Sequence, residues 1–108
     1  MASLCVGPRV LWTAGVVAGV VALGEGRAAA QAASEQAAAE ALFNQARDLM
    51  NAKQYGDACP KFAESQRLDP APGTLLNLAT CYERNGQIAS AWVTYKEAAT
   101  AARKADQG

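Results

Sequence analysis

Six positions with mostly small or apolar residues are matched, 33 residues further along the chain, by a second set of six with the same spacing. This recurrence constrains the fold more than any other feature of the sequence. Within each set, steps of three and four residues match one face of an α-helix, and a longer gap divides the set into two segments. A period of this length built from two helices predicts stacked helical hairpins. The two sets are Leu42, Ala46, Leu49, Ala58, Phe62 and Ser65, then Leu75, Ala79, Tyr82, Ala91, Tyr95 and Ala98.

The residues around these positions predict four helices and therefore an all-α fold. Good helix formers dominate the first segment, where Ser34 is a suitable N-cap residue. Asp57 is a suitable N-cap for the second helix, which would place Pro60 in the first turn, where a missing N–H is tolerated. We expect helices over about residues 34–52, 57–68, 74–84 and 87–104.

Three breaks separate these helices. The stretch from Lys53 to Gly56 ends the first, and Pro70 and Pro72 prevent the second from continuing. Asn85-Gly86 supplies the left-handed residue with which many helices end. The apolar residues of the fourth helix that we expect to face inward are Ile88, Ala91, Trp92, Tyr95 and Ala98.

The N-terminal segment has the order of a secretory signal peptide. Arg9 precedes the uncharged apolar run Val10–Leu23, and the small residues Ala30-Gln31-Ala32 follow. The run is shorter than the roughly 20 residues that a membrane-spanning helix needs. We expect cleavage before Ala33, so that residues 1–32 are the signal peptide and residues 33–108 fold in the periplasm or outside the cell. An uncleaved signal anchor is the alternative.

Composition argues against several classes of function. The chain has no His, and hence no His-based catalytic triad, His metal ligand or His pH switch. Its ten Lys and Arg balance its ten Asp and Glu, whereas a nucleic-acid-binding protein needs a basic face. The carboxylates form no close pair in the sequence, and there is no glycine-rich phosphate loop. We therefore expect no enzyme activity, no metal, no cofactor and no nucleic-acid partner.

Over about residues 39–104 the chain resembles two tetratricopeptide repeats (TPRs). It departs from the family pattern at Gln45, where Leu is usual, and at Lys53, where Gly is common. The second repeat also lacks a closing Leu-Asp-Pro. The resemblance implies a short right-handed solenoid, with repeat one at about 39–71 and repeat two at about 72–105. The matching residues are Leu78-Ala79, Tyr82, Gly86, Leu68-Asp69-Pro70, Ala58/Phe62/Ser65 and Ala91/Tyr95/Ala98.

The resemblance also implies a binding groove. In the TPR family, the first helices of successive repeats line a concave face that holds an extended peptide or a partner helix. The family's clamp for a terminal carboxylate needs Lys and Asn on the first repeat, where this chain has Phe43 and Arg47. A partner of that kind is therefore not expected. The positions carried over to the groove are Glu40, Phe43, Arg47, Met50, Asn51, Leu76, Asn77, Thr80, Glu83 and Arg84.

Cys59 and Cys81 lie at equal distances from Pro70, on two helices that we expect to be adjacent and antiparallel. Because both residues are equally far from the turn, the two thiols should lie at about the same height along the pair of helices. An oxidising compartment would allow them to form a disulfide. Two buried thiols that serve as small apolar residues are the alternative.

These observations predict a non-catalytic protein–protein interaction module of the bacterial cell envelope. A structural spacer or self-association domain is the alternative. Its basis is the flat, small-residue surface of the last helix, against which a second chain or a further part of a longer protein would pack. The residues of that surface are Ala98, Ala99, Ala101 and Ala102.

Overall fold

The computed structural model describes residues 2–107, with side chains from residue 26 onward, and it confirms an all-α fold. This range contains four helices and no β-strand. The second to fourth helices agree with the sequence prediction to within three residues at either end. The helices are α1 (Ala2–Asn51), α2 (Tyr55–Leu68), α3 (Pro72–Arg84) and α4 (Ile88–Gln107).

The start of α1 differs from the prediction. The helix was expected from about residue 34, but it begins at Ala2, and Ser34 lies within it instead of capping it. Ala is the best helix former, and residues 28–33 contain no Gly or Pro that would stop the helix. The apolar run Val10–Leu23 that predicts the signal peptide lies outside the residues whose side chains are described.

The chain divides into two compact units, Met1–Ser34 and Glu35–Gly108. Among the residues searched, no helix combines the length and the apolar character needed to cross a membrane. The contacts described below all belong to the second unit.

Contacts between α1 and α2 define the first helical hairpin. The rings of Phe43 and Phe62 meet edge to face, with their centroids 5.5 Å apart. One turn later on α2 and one turn earlier on α1, the buried Ser65 hydroxyl donates a hydrogen bond of 2.7 Å to the carbonyl oxygen of Ala39. Because residue numbers rise along α2 while those of their partners fall along α1, the two helices are antiparallel.

A disulfide between Cys59 and Cys81 joins α2 to α3, with the two Cα atoms 5.6 Å apart. Both cysteines are buried, and they belong to the core cluster of the unit. This resolves the two alternatives left by the sequence in favour of the disulfide. The other buried members of the cluster are Ala46, Ala58, Phe62 and Leu78.

The second hairpin, α3 and α4, is packed through small residues and one tyrosine. Ala79, Ala91 and Ala98 are buried, which lets the two helices approach closely. The Tyr95 hydroxyl donates a hydrogen bond of 2.8 Å to the Glu83 carboxylate, and it lies 3.1 Å from the Thr80 hydroxyl. Tyr95 is half-buried, whereas Phe62, its counterpart in the first hairpin, is fully buried beneath the neighbouring helices.

The turn within each hairpin repeats the same backbone hydrogen bonds. The N–H groups of Lys53 and Gln54 bond to the carbonyls of Met50 and Leu49, at 3.0 and 2.8 Å. Thirty-three residues later, those of Gly86 and Gln87 bond to the carbonyls of Glu83 and Tyr82, at 3.1 and 2.8 Å. Both turns are Schellman motifs, which satisfy carbonyl groups at the end of a helix. The 33-residue period of the sequence is thus also a period of the backbone.

The predicted N-cap of α2, Asp57, was wrong. The helix begins at Tyr55, and Gln54 occupies the N-cap position without a side-chain cap. The Schellman turn lets the chain re-enter a helix at once, and the first helical bond runs from the Ala58 N–H to the Gln54 carbonyl. Asp57 therefore lies in the first turn, where its charge suits the helix dipole. Pro60 lies beyond the first turn, inside the helix.

The predicted inward face of α4 was partly wrong. Ala91 and Ala98 are buried, but Ile88 and Trp92 are 63% and 64% exposed. The third buried position of the helix is Thr94, whose hydroxyl bonds to the Ser90 carbonyl at 2.8 Å. A hydroxyl that returns to its own backbone in this way can be buried without another partner. The buried stripe is therefore narrower and consists of smaller side chains than the sequence suggested.

Candidate binding cleft

A cleft of about 350 Å³ lies between residues 36–43 of α1 and the N-terminal end of α3. One wall comes from α1 and the other from the start of α3, with Ser65 of α2 behind them and the turn after α2 at one end. The lining residues are Gln36, Ala39, Glu40, Phe43, Ser65, Asp69, Ala71, Gly73, Thr74 and Asn77.

Interactions with neighbouring residues fix the shape of this cleft. Phe43 is held by its edge-to-face contact with Phe62. The Ser65 hydroxyl is committed to Ala39, and the Asn77 side-chain amide donates a hydrogen bond of 2.8 Å to the Gly73 carbonyl. The turn at the end of the cleft is held by the Ala71 N–H, which bonds to the Gln66 side-chain carbonyl at 3.0 Å. The cleft is thus largely pre-formed, as binding pockets usually are.

The charged groups of the cleft are all acidic. Glu40 on α1 and Asp69 in the turn are exposed, and no Lys or Arg is among the lining residues. Arg67 is close in sequence, but its guanidinium makes two hydrogen bonds to the Glu64 carboxylate on α2. This interaction lowers the pKa of Glu64 from its usual value, mainly through the hydrogen bond from Arg67.

Thr74 presents a hydroxyl to the cleft without a hydrogen-bond partner in the described part of the chain. The residue is only 8% exposed. None of the hydrogen bonds described for residues 26–107 involves its Oγ1 atom, and no described side-chain oxygen is both fully buried and without a partner. The Thr74 hydroxyl therefore retains access to the cleft that its residue lines.

Of the ten residues carried over from the TPR pattern, three line the cleft, namely Glu40, Phe43 and Asn77. Met50 packs against the core cluster, and Thr80 and Glu83 contact the Tyr95 hydroxyl. The remaining residues are exposed outside this cleft: Arg47, Asn51, Leu76 and Arg84.

Sequence reasoning did not identify the end of the cleft. Asp69, Ala71, Gly73 and Thr74 come from the turn after α2 and the first residues of α3. The family pattern assigns the groove to positions within helices, and the turn was interpreted only as a helix break. The signal that was available is the pair Pro70 and Pro72, because prolines hold the chain extended and keep it beside the helix ends.

A second, more apolar cleft of about 310 Å³ lies between α3 and α4. It contains Leu76 and Tyr95 together with three alanines of the small-residue surface, Ala98, Ala99 and Ala102. Elsewhere on α4, Ile88, Trp92 and Val93 are large apolar residues exposed to solvent. The Lys96 ammonium lies 4.3 Å from the centre of a Trp92 ring, a cation–π contact.

Within the part of the chain that the structure describes, no three His, Cys, Asp or Glu residues gather in a group able to hold a metal ion. Cys59 and Cys81 are joined to each other and covered by the core. The cleft between α1 and α3 combines acidic groups, apolar surface and a hydroxyl without a hydrogen-bond partner among the described residues. Comparisons of the chain with protein-family models, with curated proteins and with solved structures found no match.

Proposed function

We propose that the chain is a non-catalytic interaction module of the bacterial cell envelope that binds a short peptide segment of a partner protein. The cleft between α1 and α3 is the observation that carries this proposal. It is concave, it is held in shape by side-chain contacts on three sides, and it combines an aromatic wall with a few polar groups. Recognition sites for peptides commonly have this composition.

A TPR-like stacking of the two hairpins is part of the proposal. In such an arrangement α1 and α3 are the first helices of successive repeats, so the cleft between them belongs to the concave face. The recurrence of the hairpin turn at 33 residues supports this stacking. The disulfide supports it as well, because it fixes the second helix of one hairpin to the first helix of the next.

The envelope location rests on two observations. The N-terminal residues have the order of a signal peptide. The Cys59–Cys81 disulfide is typical of proteins in an oxidising compartment such as the periplasm. N-terminal sequencing of protein recovered from a bacterial periplasm is expected to begin at Ala33, and an intact Met1 on the recovered protein would contradict signal cleavage.

Selection from a random 12-residue peptide library displayed on phage tests the binding function. The target is the oxidised chain, and the blocked variant is Gln36→Trp, because Gln36 is exposed on α1 and lines this cleft but not the cleft between α3 and α4. Asn44→Trp is the matched control, since Asn44 is an exposed amide on the same helix and lines neither cleft. Circular dichroism checks that both variants fold.

We expect peptides selected on the unmodified chain to bind Asn44→Trp with unchanged affinity and Gln36→Trp about tenfold more weakly, because the added ring occupies the cleft. Peptides that bind both tryptophan variants equally would place the binding site elsewhere. A selection that enriches no peptide would contradict the proposed function itself.

Self-association through α4 is the second candidate function. Ile88, Trp92 and Val93 place large apolar side chains in solvent on one helix, and such surfaces commonly mark interfaces. Size-exclusion chromatography with light scattering over a hundredfold range of concentration tests it. A dimer that dissociates when Trp92→Ala is introduced would support this candidate, and a monomer at every concentration would exclude it.

A further inference from the structure

We infer that the peptide segment held in the cleft between α1 and α3 carries a lysine or arginine, with its cationic head at Glu40 and Asp69 and its aliphatic stem against Phe43. The inference rests on the proposed function and specifies the chemistry of the partner. It follows from three features of the cleft, namely its charge, an available hydroxyl and the position of its apolar wall.

Charge complementarity is the first feature. Glu40 and Asp69 come from separate elements of the chain, yet both line this one cleft. None of the lining residues is cationic, and the nearby Arg67 is already hydrogen-bonded to Glu64. The cleft therefore presents negative charge that the described residues around it do not neutralise. A cationic side chain is favoured there, whereas an acidic one is repelled.

The unpartnered hydroxyl of Thr74 is the second feature, and it is independent of charge. The residue is nine-tenths buried, and its Oγ1 atom keeps some access to solvent but has no hydrogen-bond partner among the described residues. A peptide that displaces water from this hydroxyl must supply a partner in its place. An amide or carbonyl of an extended peptide in the cleft would supply that partner, which favours a peptide over a free small cation.

The aromatic wall is the third feature. Phe43 is half-buried, because one part of its ring contacts Phe62 and the rest faces the cleft together with Ala39 and Ala71. Lysine and arginine side chains place their methylene stems on apolar surfaces while their heads remain at polar ones. One such side chain can therefore satisfy both the wall and the carboxylates. A smaller polar cation would leave the ring uncovered.

Peptides selected from the random library on the oxidised chain provide the test. They are expected to be enriched in Lys and Arg relative to the unselected library. One selected peptide is then synthesised with a fluorescent label, in its original form and with its basic residue replaced by Gln. At low ionic strength, we expect the basic form to bind about threefold to tenfold more tightly, and the advantage to shrink as salt is added.

Three variants test which side-chain groups of the cleft bind the peptide. Glu40→Gln and Asp69→Asn each keep the size of the side chain and should reduce the preference for the basic peptide. Thr74→Val replaces the hydroxyl with a methyl group of similar size and should weaken the basic and neutral peptides by the same factor. Glu97→Gln is the matched control for charge, because Glu97 is exposed on α4 and does not line this cleft.

The possible outcomes separate this inference from the proposed function. Selected peptides that are neutral or acidic would overturn the inference while leaving peptide binding intact. A preference for the basic peptide that survives in both carboxylate variants would also overturn it. If no peptide is enriched, both the proposed function and the inference are wrong.

Discussion

Lys53 and Gly86 hold the same left-handed backbone conformation at the same point of their two hairpins, with φ angles of 61° and 80°. Glycine adopts this conformation at little cost, whereas a residue with a Cβ atom is strained in it. The second hairpin thus has the preferred residue in its turn, and the first does not. The two turns are a natural pair for measuring what the conformation costs.

We expect Gly86→Ala to destabilise the fold by about 1 kcal/mol, because the backbone must keep a positive φ angle that alanine disfavours. Gly73→Ala is the matched control. Neither glycine has an atom within 4 Å of an added Cβ, but Gly73 lies in a helix at a negative φ angle. There alanine should stabilise by roughly 0.5–1 kcal/mol. Urea unfolding followed by circular dichroism measures both, and shifts of the same sign would contradict the explanation.

Removing the disulfide should destabilise the fold by about 3 kcal/mol, since the cysteines are 22 residues apart in sequence and the unfolded chain would no longer be cross-linked. The Cys59→Ala/Cys81→Ala variant in urea unfolding gives this value without a reductant. Before that, alkylation under denaturing conditions followed by mass spectrometry counts free thiols. Two alkylated cysteines among residues 33–108 of protein from an oxidising compartment would mean that the bond does not form.

Ser65→Ala is expected to destabilise the fold by about 1 kcal/mol, because it removes a buried hydrogen bond of 2.7 Å between α2 and α1. The control is Ser90→Ala, since Ser90 is exposed and only its backbone carbonyl takes part in a described hydrogen bond. Differential scanning calorimetry of the two variants is the measurement. Equal melting temperatures would show that the Ser65 hydroxyl does not stabilise the packing of α2 on α1.

The pKa of Glu64 should lie below that of an ordinary exposed glutamate, mainly because Arg67 donates a hydrogen bond to its carboxylate. Since the folded-state pKa is lowered, the associated stabilisation is complete above the unfolded-state pKa and is lost as the pH falls through the folded-state pKa. Following the chemical shift of the Glu64 carboxyl carbon with pH by nuclear magnetic resonance gives this pKa. Arg67→Gln should return it towards the ordinary range, and an unchanged pKa would contradict this cause.

The inner faces of α1 to α3 could be predicted from the sequence because close helix packing needs small residues at fixed intervals. Ala46, Ala58 and Ala79 are each fully buried as that spacing requires. Trp92 shows where the same reasoning fails. Hydrophobicity suggested an inward position, but the helical register places Ala91 and Thr94 inward instead, and the indole remains in solvent.

Three residues of the cleft, Glu40, Phe43 and Asn77, could be predicted from the sequence. They came from the resemblance to the TPR pattern, which assigns groove positions within helices. Asp69 and Thr74 could not be predicted in this way, because their positions depend on how a proline-containing turn returns the chain to α3. The direction of such a turn is set by tertiary contacts such as the one between Gln66 and Ala71.

The Cys59–Cys81 bond also makes the chain a closed ring around the turn after α2. A protease that cuts at the exposed Asp69-Pro70 link would open the backbone, but it would not release either half. The nicked protein would migrate as a single species until it is reduced. One cut at the rim of the cleft would therefore leave both helices that form it attached to each other.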